Sequence, residues 1–178
     1  MRTDDFWQLI EQARVGGGGE APAVAARAAA LLAERDPEDI VGYARHQQRV
    51  LAASYQVDLW GAAYLINGGA SDDDFEYFRG WLMTQGRSVF ARAVGDPDVL
   101  AELPRVRAAS LSGEEFRCPE MLTVPWDAYR KATATELPAE RDPVKAPDLN
   151  DFWDFDDEDE ARRRLPRLAA LFVEPPEE

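Results

Sequence analysis

Apolar stretches of helical period alternate along this chain with short breaks of Gly, Pro, Asp and Asn, and that punctuation limits the fold more than any other feature. Residues 3–14 place Phe6, Trp7, Leu9, Ile10 and Ala13 on one wide apolar face, with Thr3 as a cap and Asp4 and Asp5 at the positive end. The run Gly16 to Gly19 breaks this helix. No strand precedes it and no G-x-x-x-x-G-K is present, so it reads as a hinge rather than a phosphate loop. Pro22 opens a helix to about Arg35 that buries Val24, Ala28, Leu31 and Leu32. Asp36-Pro37 restarts the chain for a helix reaching about Tyr55. Asp58 reads as the cap of a further helix carrying Leu59, Ala62, Ala63 and Ile66. Asn67-Gly68-Gly69 stops that helix, because Asn and Gly accept the left-handed conformation.

Ser71 opens the longest and most aromatic segment, read as one helix over 72–94 with Phe75, Phe78, Leu82, Val89 and Phe90 at helical spacing. Gly95-Asp96-Pro97 leads into a short helix near 97–102, the period is unclear from Pro104 to Pro119, and residues 119–134 read as a helix that Pro125 kinks or delays. Pro138, Pro143 and Pro147 mark 137–150 as an extended linker. The predicted fold is therefore mainly α, a compact single-domain helical bundle of about six to eight helices with an irregular acidic C-terminal region. A helical core spans 1–136; residues 137–178 form a Pro-rich linker and an acidic, aromatic tail that packs on the core or extends from it.

With 178 residues, one core can form without disulfide or metal. Lys and Arg number 20 against 34 Asp and Glu, a formal charge of −14, which argues against nucleic acid or an anionic membrane as partner. Cys118 is the single cysteine, so no intrachain disulfide can form. The opening residues lack the apolar core of a signal peptide and no 18-residue apolar run is present, so a cytoplasmic location is expected.

The stretch DLWGAAYLINGGASDDDFEYFRGWLMTQGR, Asp58 to Arg87, is the most distinctive part of the chain. With the opening DDFWQLIEQAR and the ending RLPRLAALF, it resembles a bacterial family catalogued as domain of unknown function 4240. The likeness runs nearly the whole length and is weakest between about 104 and 150. It implies a compact helical domain and no established activity. In the family pattern the Gly-Gly pair is commonly followed by Cys, and Ser-Asp-Asp by Gly or another small residue. Here those places hold Ala70 and Asp74, so a thiol nucleophile at this turn is missing.

Candidate site residues gather around that turn. Ser71, Asp72, Asp73 and Asp74, followed by Glu76 and Arg79, offer carboxylates for a cation, a cationic ligand or an activated water; they also satisfy the rules for an N-terminal capping box, with Glu76 and Arg79 as an ordinary surface pair. His46, the one histidine, is a general base if Asp58, Asp72 or Asp73 orients it, and otherwise a packed helical histidine. Trp60, Tyr64, Tyr77 and Trp81 either line a pocket beside Asn67 or form a core stripe. Arg45 and Arg49, four apart, either bind an anion or make a solvated face. The acidic run Asp151 to Glu160 lacks the glycine and final Glu of a calcium loop, and its Phe152, Trp153 and Phe155 suit docking to a basic partner or folding back on the core. Zinc spacing, G-x-S-x-G and dinucleotide loops are absent, so no metal or cofactor is predicted.

The sequence thus points first to a non-enzymatic protein-interaction or regulatory domain with a basic protein partner. The alternative is a small-molecule binder or enzyme with a carboxylate and histidine site at the 67–74 turn, and a weaker one is an acidic inhibitor that mimics nucleic acid.

Overall fold

The structure is a computed structural model that describes residues 1–16 and 18–175. Gly17, in the glycine hinge, lies outside the described residues, while Gly18 and Gly19 both take positive φ. Among the described residues there are ten α-helices, one 3-10 helix and no strand: α1 (Thr3–Gly16), α2 (Ala21–Ala33), α3 (Pro37–Ala53), α4 (Val57–Asn67), α5 (Asp72–Thr84), α6 (Arg87–Gly95), the 3-10 helix Pro97–Glu102, α7 (Pro104–Ser112), α8 (Pro119–Thr133), α9 (Glu158–Arg164) and α10 (Pro166–Phe172).

The helix number exceeds the six to eight expected, for identifiable reasons. The aromatic segment 72–94 is two helices, because Gly86 adopts φ 91° between Gln85 and Arg87 and turns the chain. Residues 104–119, where no period is evident, hold α7, which buries only Val106 and Ala109 and ends on left-handed Gly113. Helix α8 continues through Pro125. The acidic tail is partly helical: Asp157 accepts N–H bonds from Asp159 and Glu160 at the start of α9. Glu158–Glu160 then occupy the positive end of that helix and Arg162–Arg164 the negative end, so the order of charges in the tail follows the helix dipole.

Helix α2 packs across α8 and α1, and α8 also meets α3 and α5, making one group of helices; α4, α7, α10 and the 3-10 helix make a second beside it. One continuous core joins them, from Phe6, Ile10, Tyr43, Phe75 and Phe78 to Trp153, Ala161, Leu165 and Leu168 in the tail. Asp98 is buried and accepts the N–H groups of Arg167 and Leu168 at the start of α10, with the Arg167 side chain at 3.1 Å.

Candidate functional site: a hollow between α3 and α5

Asp72, Glu76 and Arg79 recur at i, i+4 and i+7 on one face of α5 and look across at Leu51 and Ala52 of α3 and at Tyr55 just beyond its end. Pro143, Val144 and Ala146 close the third side, leaving a hollow of about 440 Å³. Arg79 is 6% exposed, so the expected surface pair with Glu76 does not form. Its Nη1 donates to the Leu51 carbonyl at 2.8 Å and its Nε to that of Phe75 at 3.4 Å. The guanidinium lies 4.5 Å from the Phe75 ring centre and 5.1 Å from that of Tyr55. Among the described residues no carboxylate approaches it within 4.0 Å, and Nη2 has no hydrogen-bond partner. Burial holds the Arg79 pKa below its ordinary value, against the opposing pull of Glu76, Tyr55 and Asp72. Tyr55 donates to Asp72 at 3.4 Å, and its phenol is raised by burial and then by that carboxylate.

The remaining candidates go elsewhere. Ser71 accepts from the Asp74 N–H at 3.2 Å, and Asp74 accepts from the Ser71 N–H at 3.1 Å: a complete capping box. The Ser71 hydroxyl and backbone bonds hold the Asp74 carboxyl below its usual range. Asp73 stands exposed in the first turn. Trp60 stacks on Phe75 at 5.1 Å and 13° and donates to the Ala70 carbonyl, which fixes the turn. Asn67 exchanges two hydrogen bonds with the backbone of Phe116, and Trp81 is buried against the Phe116 ring at 4.6 Å. Asp58 is not the cap of α4, whose N-cap position is Gln56. It accepts instead from the Trp153 indole at 3.1 Å and from Arg164 at 3.2 Å. Tyr64 donates to Asp156 at 2.6 Å. The acidic, aromatic tail therefore folds back on α4, with Trp153 buried and Phe152 left 56% exposed.

His46 is buried on α3 with its ring 5.0 Å from that of Phe6, and it does not line the hollow. Burial lowers its pKa, helped by Arg49 and the N-terminal amine. No hydrogen bond joins it to Asp58, Asp72 or Asp73 among the described residues. Sequence reasoning missed Tyr55, Gln48 and the segment 137–146 as neighbours of the turn, since their proximity arises only when the linker crosses α3. No three His, Cys, Asp or Glu side chains among the described residues cluster to hold a metal ion, and no described helix is long and apolar enough to cross a membrane.

Residues 1–131 match the family model described as a protein of unknown function, DUF4240. The chain belongs to this family. The match holds the α3 and α5 walls of the hollow and stops within α8, so the segment over α3 and the RLPRLAALF ending lie beyond it. No curated protein and no solved structure matches the chain.

Proposed function

We propose that this DUF4240 chain is a non-catalytic protein-interaction module whose docking face is the outer side of α3. In this reading residues 137–178 are an arm appended to the helical core 1–136, and 137–146 cover the face as a displaceable strap. The observation that carries it is how little holds the strap. Among the described residues, its hydrogen bonds to the rest of the chain are the two that Arg45 donates to Glu140, at 3.2 and 3.0 Å. Its backbone makes none to the core. Hollows flank it, one of about 210 Å³ where Leu137 and Pro138 approach Val41, Ala44 and Trp126, and the 440 Å³ hollow at its other end. Long segments without secondary structure over a rigid scaffold are where binding elements concentrate.

The strap also displays the chemistry of a suitable partner. The fork of Arg45 matches a carboxylate at two points, and three residues earlier Leu137 packs, partly buried, beside an apolar hollow walled by Val41, Ala44 and Trp126. The proposed partner is an extended peptide with an apolar residue and a Glu spaced as Leu137 and Glu140 are. Binding of such peptides to the full chain, read by fluorescence anisotropy, should strengthen about two- to fivefold when Glu140→Ala frees Arg45, and vanish with Arg45→Glu. Equal binding by all three chains, or by peptides with Gln in place of Glu, would overturn the proposal.

A further inference from the structure

A buried cation and two rim carboxylates share one face of α5 in a hollow that α3 and residues 143–146 close, and one acceptor of another lining residue lacks a partner. Arg79 carries a charge in a place where water reaches little of it, without an ion pair; buried charges ordinarily have one. Its bond to Leu51 also supports the last turn of α3, which accounts for Nη1 but leaves Nη2 unmatched. Asp72 and Glu76 stand on the rim one helical turn apart. Gln48 lines the same hollow, and its Oε1 is buried without a hydrogen-bond partner. Apart from Tyr55, whose hydroxyl donates to Asp72, the remaining lining is apolar: Leu51, Ala52, Pro143, Val144 and Ala146.

We infer that this hollow is a binding site for a small zwitterion, an α-amino acid with a short aliphatic side chain. Its carboxylate would meet Arg79 Nη2, its ammonium would lie between Asp72 and Glu76, and its side chain would contact Leu51 and Val144. A simple anion would meet the rim carboxylates and a simple cation the Arg79 charge, so each alone is opposed by one half of the site. The volume of about 440 Å³ is ample for a ligand of this size. The polar contacts all come from α5, whereas Val144 of the strap supplies part of the apolar wall, so the charged half of the site does not depend on the strap proposal and the apolar half shares a wall with it.

The test is thermal unfolding of the full chain with L-leucine, leucinamide, which lacks the carboxylate, and N-acetyl-leucine, which lacks the ammonium. Leucine at ten times its dissociation constant should raise Tm by about 3 °C, and neither derivative should. Because Arg79 variants can lose stability through α3, the decisive variants are on the exposed rim. Asp72→Asn with Glu76→Gln removes both partners of the ammonium and should abolish the leucine shift measured against the variant's own unliganded Tm. A shift retained by that variant, equal shifts from either derivative, or no shift with leucine up to saturation would each overturn the inference.

Discussion

The indole of Trp153 lies so close over Gly61 of α4 that a Cβ at Gly61 would stand 2.5 Å from its Cζ2. A glycine inside a helix costs about 1 kcal/mol relative to alanine, so its presence here is explained by the ring that occupies the space. Trp153 is locked in turn by its bond to Asp58 and by Arg164, whose guanidinium lies 5.7 Å from the ring centre. Gly61→Ala should therefore destabilise the chain by about 1–3 kcal/mol in urea unfolding. In a Trp153→Ala background, where Phe155 Cε1 at 3.3 Å remains the nearest neighbour, the same change should cost at least about 1 kcal/mol less. Equal effects in the two backgrounds would contradict the contact.

Ser71→Ala removes one half of the capping box at the start of α5. The expected loss is about 1 kcal/mol, seen as a Tm lower by about 2–4 °C. Ser71 does not line the hollow, so a leucine-induced shift should survive this change.

Cys118 is fully buried, and burial pushes its thiol up to about 12 from 9.0. Burial disfavours the thiolate and keeps reagent away, so alkylation at pH 8 should be slower in the native chain than in urea by at least about tenfold, and comparable rates would show an open α5–α8 junction.

Stability should depend on pH through His46. Its folded pKa lies below 6.5, so the unfolded chain takes up the proton first as pH falls. The stability conferred by the neutral, buried ring is complete above about 6.5 and declines as pH drops from there toward the folded value. Urea midpoints measured from pH 7.5 to 5.5 should fall in the wild type and flatten in His46→Gln. A slope unchanged by the substitution would assign it to other groups.

The helix starts at Pro22, Pro37, Ser71 and Pro97, and the stop at Gly68, are legible because each acts through its own residue's backbone or side-chain geometry. The break at Gly86 is hidden because Leu82, Val89 and Phe90 keep helical spacing across it. Only the lone glycine after Gln85 signals it. Arg79 reads as a surface residue, since its partners, the Leu51 carbonyl and the rings of Phe75 and Tyr55, converge only in the tertiary fold. Asp72 at the end of the 67–74 turn, with Glu76 and Arg79 further along α5, lines the hollow. Other candidates serve the cap, the α4–tail contact and the Asn67–Phe116 clamp. The opposing wall comes from residues whose sequence pattern marks only a helix and a linker.

Lifting of the strap from α3 by a partner peptide is measured most directly with Val144→Cys. Val144 sits in the strap beside the hollow, and the native cysteine is buried. Val144 is partly buried, so alkylation of the introduced thiol in the full chain should be slower than in urea, should accelerate saturably with a peptide carrying the Leu-x-x-Glu spacing, and should approach the rate seen when Glu140→Ala is added. A peptide that binds while leaving the rate unchanged, or slowing it, would contradict displacement of the strap.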